Sequence, residues 1–320
     1  MPVLLLHRSQ LNSGQWDEFV AASPQCILYA YSWYLDTVSP DWQALVLVEK
    51  DQWQAVMPLP CRRKWGMNVV QQPFFCQLLG VFTAPLFEFT EAVRLLLDKL
   101  PFCFRYISIY TGRFGQPILY PKGMKITNAD NFILPLKPSY SLLFKNYTHD
   151  RKTNLLRAQK FGWQSQQSTD IEPLIKLFQE NHAAQIQGGV SANAYYLLQK
   201  VVAVLQQKKA LRLVYALKNG QIEAGALFAI FDDRIIYLFN AASATGRKGN
   251  ARTWLIDQMI QKYAQTDFIF DFESPELSSI SSFYQSFGAE KEGYTLFSYN
   301  DLPFPLKQIQ EWRVRRAAKS

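Results

Sequence analysis

The stretch "NAASATGRKGNARTWLIDQMIQKYA" (Asn240–Ala264) decides the fold. A strand ends in small residues, passes through a basic glycine-containing loop, and opens a helix with Trp254, Leu255, Met259 and Tyr263 on its inner side. The first amides of a helix have no intrahelical partner, and the helix dipole favours negative charge there. Gly246 and Gly249 permit close backbone approach, while Arg247, Lys248 and Arg252 supply cations. The expectation is an anion cradle over Gly246, Arg247, Lys248, Gly249, Asn250, Ala251 and Arg252. The plainer alternative is an ordinary helix start with loop glycines.

Downstream, "FIFDFESPELSSISSFYQSFGAEKEGY" (Phe268–Tyr294) follows a strand expected over 267–272, with Asp271 and Glu273 at its end. Strand alternation puts both acids on one face. Pro275 breaks the strand, and a short helix follows over 279–287, with Ile280, Phe283, Tyr284 and Phe287 at helical spacing. Upstream, "LRLVYALKNGQIEAGALFAIFDDRIIYLFNA" (Leu211–Ala241) predicts three consecutive antiparallel strands, turned at Asn219-Gly220 and Asp232-Asp233. Helices are predicted over 171–182 and 194–207, and another inside 138–163 that ends near Gly162. The first half carries a hairpin within Leu45–Pro60, a helix over 90–100 and a strand over 106–110.

A chain of 320 residues favours two hydrophobic cores over one. With 48% hydrophobic, 15% aromatic and 19% charged residues, disorder is excluded as a general description. Apolar runs fall short of a membrane span, and the opening residues do not match a secretory signal, so a cytoplasmic location is expected. Cys26, Cys61, Cys76 and Cys103 are too scattered for a zinc or disulfide framework and read as buried thiols. His7, His149 and His182 lack a carboxylate at ligand spacing, so no metal is expected. The net charge of +8, concentrated at residues 62–64, 151–160 and 313–319, suits an anionic partner, or simply a solvated basic face.

The order strand, basic loop, helix, acid-tipped strand and F-Y-x-x-F-G helix (Phe283, Tyr284, Phe287, Gly288) resembles the second half of the GCN5-related N-acetyltransferase (GNAT) fold. The whole chain resembles a tandem of two such domains, as in the Fem-type peptidyltransferases and their acetyltransferase relatives. "RKTNLLRAQKFGW" (Arg151–Trp163) resembles the basic helix that opens their second domain. The resemblance implies an α+β fold of two tandem GNAT-like domains, each a mostly antiparallel twisted sheet flanked by helices. It places the domains at 1–137 and 138–300, with a basic tail at 301–320, and gives the first domain no cofactor site.

By the same resemblance the protein moves an acyl group from acyl-CoA to an amine acceptor bound between the domains. Acyl transfer needs a neutral amine, a stabilised oxyanion and a proton for the leaving thiolate. Glu273 or Asp271 is the candidate base, backbone N–H groups around Asn240, Ala241 and Ala242 the candidate oxyanion donors, and Tyr284 the candidate acid. Arg151, Asn154 and Arg157, spaced by three, are the candidate acceptor-binding face. Each has a structural alternative: Tyr284 as core, the acids as helix caps or ion-pair partners, the basic helix as a solvated side. Two other functions stay open, a Fem-type enzyme charged by aminoacyl-tRNA and acting on a cell-wall precursor, and a catalytically silent binding protein.

Overall fold

The computed structural model describes residues 1–64, 66–112, 121–186, 188–273 and 278–317. The chain forms two compact units: Met1–Ala129 with Gly293–Ser320, and Asp130–Glu292. These divisions fall at 129/130 and 292/293, where the sequence reading set them at 137/138 and 300/301.

The first unit begins with β1 (Val3–His7), α1 (Ser13–Ala22), α2 (Ser32–Val38), β2 (Gln43–Glu49) and β3 (Gln52–Leu59). The expected charged turn joins β2 to β3: Lys50 and Asp51 both take positive φ (49° and 62°), as a two-residue hairpin turn requires. β4 (Cys61–Lys64), β5 (Met67–Gln71), β6 (Phe82–Thr83), α3 (Phe89–Cys103) and β7 (Tyr106–Gly112) follow. β1, β2, β3 and β6 make one antiparallel sheet. Ala92, Val93, Leu96, Leu97 and Leu100 of α3 are fully buried in a core with Leu45, Met57 and Ile107.

The chain then runs through β8 (Lys125–Pro135) into the second unit: α4 (Tyr140–Lys145), α5 (His149–Phe161), β9 (Gln164–Ser168), α6 (Glu172–Asn181), α7 (Ala192–Gln207), β10 (Leu211–Lys218), β11 (Gln221–Phe231) and β12 (Arg234–Ala242). It continues with α8 (Ala244–Lys248), α9 (Ala251–Tyr263), β13 (Ile269–Asp271) and α10 (Ser278–Gln285), then β14 (Glu290–Asn300) and α11 (Leu306–Ala317). The single helix expected over 138–163 is two, α4 and α5, and α5 stops on Gly162 in the left-handed conformation (φ 75°). Asn219 and Gly220 form the expected turn with φ of 52° and 78°.

In the second unit the strand order is β8-β13-β12-β11-β10-β9. Pairing is antiparallel except between β12 and β13, which are parallel. α9 covers this sheet with Leu255, Ile256, Met259 and Ile260, against Phe228, Tyr237 and Phe270. Within 301–320, expected as a basic tail, residues 306–317 form helix α11.

Candidate active site

The site begins where two strands part. β12 and β13 pair over Arg234↔Ile269, Ile235↔Phe270 and Ile236↔Asp271 and go no further. β12 continues beside β11 as far as Ala242↔Ala224, while the chain after β13 leans the other way, Phe272 N–H donating to Phe132 O of β8 (3.0 Å). A bulge opposite Leu227 and Phe228 adds local twist to β12 just where the gap opens. Along the parted edge the backbone donors are turned outward. Ser243 N–H donates back to Glu223 O, whereas Ala242 N–H donates to His182 Nε2 (3.3 Å). Strand alternation aims Asn240 N–H to the same side as that of Ala242.

The closed end of the fork is pinned by charge. Asp271 is buried, with Oδ1 accepting from Asn131 Nδ2 (2.8 Å) and Glu273 N–H (2.9 Å), and Oδ2 accepting from Arg234 (2.8 Å). Arg234 also holds Glu292 (2.8 Å). Burial pulls the Arg234 pKa down, but hydrogen bonding to Glu292 and the Asp271 charge outweigh it, so the guanidinium is held firmly protonated. Asp271, one of the two carboxylates expected as the base, is thus fully engaged in structure, as the ion-pair alternative had it. Nor do the two acids follow strand alternation, because β13 ends at Asp271 and Glu273 takes φ 46°. Glu273 is half-buried at the tip of the fork, and residues 274–277, which include the Pro275 expected to break the strand, lie outside the described residues.

Beside the gap stands the N-terminus of α9, a helix of 13 residues. Its cap residue Asn250 is left-handed (φ 54°) and makes no side-chain cap hydrogen bond, so the amides of Ala251, Arg252 and Thr253 receive no capping side chain. The Phe283 ring of α10 packs against two guanidinium groups, Arg252 at 4.0 Å and Arg151 at 4.2 Å from its centroid. Arg151 is buried and donates to Ser286 Oγ (2.8 Å) and Thr253 Oγ1 (2.5 Å). Burial and the neighbouring Arg252 charge pull its pKa down to about 10. Among the described residues no carboxylate forms an ion pair with either arginine. Tyr237 Oη, from β12, is buried without a hydrogen-bond partner. A helix N-terminus, two arginines and an unsatisfied hydroxyl at one place form a set of donors short of acceptors, which fits an anionic ligand.

The glycines act differently from the expectation. Residues 244–248 are helix α8, not a loop, and Ser243 caps it by accepting from Gly246 N–H (3.0 Å). The amides of Arg247, Gly249 and Asn250 are spent on Ser243 O, Thr245 O and Arg247 O. A Cβ at Gly246 would lie 2.2 Å from Glu223 O, and one at Gly249 would lie 2.4 Å from the Trp163 ring. Trp163 Nε1 also donates to Gly249 O (2.8 Å). Both glycines serve packing, and the amides available to an anion shift from 246–250 to 251–253. Arg247 donates to Ala242 O (2.8 Å), tying α8 to the end of β12, while Lys248 is exposed. Ala241 is buried on β12.

The candidate acceptor face also divides: Arg151 points into the core beside α9 and α10, Asn154 is half-buried, and Arg157 is exposed. Tyr284 is buried, its ring 4.7 Å from that of Phe272 and edge-on to Tyr237 at 6.3 Å. Burial pushes its hydroxyl pKa up to about 12, the Glu273 charge adding to this and Arg252 opposing it. The phenol therefore holds its proton at neutral pH. Sequence reasoning missed Tyr237 and His182. Burial, then the Arg247 charge, lower the His182 pKa, so the ring that accepts from Ala242 N–H is neutral. Its partner is 60 residues away, and no local motif marks it.

A fork between parallel strands with an uncapped helix N-terminus beside it fits the GNAT fold. Residues 145–274 match the family model of the acetyltransferase (GNAT) domain. Among solved structures, the chain is similar to FemX (13% identity, TM-score 0.64, covering 97% of this chain and 99% of the other). It is also similar to a tandem GNAT protein from the clavulanic acid biosynthesis pathway (10%, 0.55, 94% and 99%) and to L-PGS from Bacillus licheniformis (12%, 0.52, 94% and 96%). No curated protein matches the sequence. The chain has the tandem-GNAT, Fem-like fold, an acyltransferase fold.

Proposed function

We propose that the second unit transfers an acyl group from acyl-CoA to an amine. The observation that carries this reading is the parting of β12 from β13 after Ile236 and Asp271, beside the uncapped start of α9. Bound acyl-CoA would supply the thioester. The amides of Ala251–Thr253 with Arg252 would hold its diphosphate, and the Asn240 and Ala242 N–H groups would serve the acyl carbonyl and its arm, Ala242 exchanging His182 for the ligand. Glu273, at the fork tip, would accept the amine proton, directly or through a water. Asp271 is assigned the structural role of holding the fork shut at its base. Tyr284, protonated at neutral pH, would donate to the departing sulfur.

Calorimetric titration with CoA tests the donor. The wild-type chain should bind it, and Arg252→Ala should weaken binding about tenfold or more, the worth of a charge-assisted hydrogen bond. Failure of the wild type to bind CoA would overturn the donor assignment. Binding of aminoacyl-tRNA in its place would assign the donor to the Fem-type alternative.

A further inference from the structure

β12 and β13 stop pairing at Ile236↔Asp271, and Tyr237 is the first residue of β12 beyond that pair. From there about 16 Å of strand leads to Ala242, where the chain turns into α8 and α9. A ligand held by the amides at the start of α9 therefore enters the gap at the Ala242 end, and its tip meets Tyr237. Tyr237 is 3% exposed. Its ring stacks on Phe228 (5.2 Å) and stands edge-on to Tyr284 (6.3 Å), with Phe270 at 6.4 Å. A phenylalanine would fill that space as well, yet the position carries an oxygen that is buried without a hydrogen-bond partner among the described residues. An unsatisfied buried hydroxyl costs stability, so packing does not account for it.

Two neighbours reach the hydroxyl electrostatically. Burial raises its pKa well above that of a free phenol, the Arg252 charge opposes this, and Tyr284 adds to it. The group is therefore a proton-bearing donor in the field of both residues, one assigned to the diphosphate and the other to the departing sulfur. The Phe228 and Phe270 rings offer it no acceptor, so the ligand has to supply one. Of the atoms at the tip of a thioester, sulfur is a weak acceptor. The carbonyl oxygen accepts well and gains negative charge as the amine attacks, which makes it the atom where a donor in a dry site counts most.

We propose that Tyr237 is a catalytic residue, its Oη–H donating to the carbonyl oxygen of the bound thioester; the assignment rests on the acyl-CoA reading of the site. As the C–N bond forms, the carbonyl π pair moves onto oxygen and Tyr237 holds that charge, and the pair returns as the C–S bond breaks. The amine proton goes to Glu273 and the Tyr284 proton to sulfur, while Tyr237 keeps its own. The test compares the wild-type protein with Tyr237→Phe by calorimetric titration with CoA and with acetyl-CoA, and by the infrared C=O band of bound acetyl-CoA isotope-labelled at its acetyl carbonyl. Only the acetyl form carries the acyl oxygen. Tyr237→Phe should weaken acetyl-CoA binding about two- to tenfold, leave CoA binding unchanged, and move the band to higher wavenumber. Its urea midpoint should hold or rise, since the lost hydroxyl has no partner in the free protein. An unmoved band overturns the proposal. So does a variant that is destabilised and loses CoA and acetyl-CoA alike, which would make the hydroxyl structural; in both cases wild-type binding of CoA keeps the donor assignment. Failure of the wild type to bind either ligand overturns the donor assignment, and this proposal with it.

Discussion

Tyr284 combines two roles that sequence alone set as alternatives. Its ring is core, packed between Phe272 and Tyr237. Its hydroxyl sits in the electrostatic reach of Arg252 and Glu273, so burial does not remove it from the proposed chemistry. Removing one oxygen leaves the packing of the ring in place, so stability and turnover should separate. Tyr284→Phe is expected to slow acyl transfer at least about hundredfold, the usual contribution of a positioned proton donor, and to move stability by about 1 kcal/mol or less. Single-turnover kinetics with a thioester donor, beside a urea titration, check both. An unchanged rate would leave Tyr284 as packing only. Asp271 makes the opposite case. Every oxygen it offers is taken by Asn131, Arg234 or the Glu273 amide, and that saturation is why the fork is closed at its level.

At the scale of elements, the short helix α8 sets where β12 stops and α9 starts, and Gly246 is what lets it sit there. In a helix, alanine is ordinarily favoured over glycine by about 1 kcal/mol. Here the added methyl would meet the Glu223 carbonyl at 2.2 Å, a backbone atom that cannot rotate away. The clash should win. Gly246→Ala is expected to destabilise the protein by about 1–3 kcal/mol in urea denaturation, and a stabilised variant would mean that α8 moves freely on the sheet.

Much of this architecture was legible in the sequence for local reasons. Asn219-Gly220 could only be a tight hairpin turn, Gly162 could only end a helix, and alternating apolar residues fixed β10 to β12. α8 was not legible, because two glycines in so short a stretch argue for a loop. What makes it helical is Ser243 as cap and the distant Glu223 and Trp163 as packing partners. Arg151 likewise reads as solvated until Phe283, Ser286 and Thr253, over a hundred positions on, are folded against it.

At the scale of the whole molecule, sequence reading divides the chain by consecutive stretches, but the first unit is not consecutive. β14 returns to it after the second unit is complete, pairing with β7 from Tyr294↔Gly112 to Asn300↔Tyr106. Phe297 of β14 is fully buried in the first unit's core with Leu45, Leu96 and Ile109. The sequence hides this because a returning strand has the same alternation as one that stays, and only the partner tells them apart. A cut at the sequence-level boundary therefore removes a core strand. Residues 1–137 expressed alone would expose the β7 edge and the pocket left by Phe297, a loss of about 3–5 kcal/mol from the ring alone, set against total stabilities of about 5–15 kcal/mol. That fragment should show no cooperative thermal transition. Joining Met1–Ala129 through a flexible linker to Gly293–Ser320 should restore one, because it returns both the pairing and the ring. Cooperative unfolding of residues 1–137 by themselves would mean that β14 is an accessory to the first core and not a part of it.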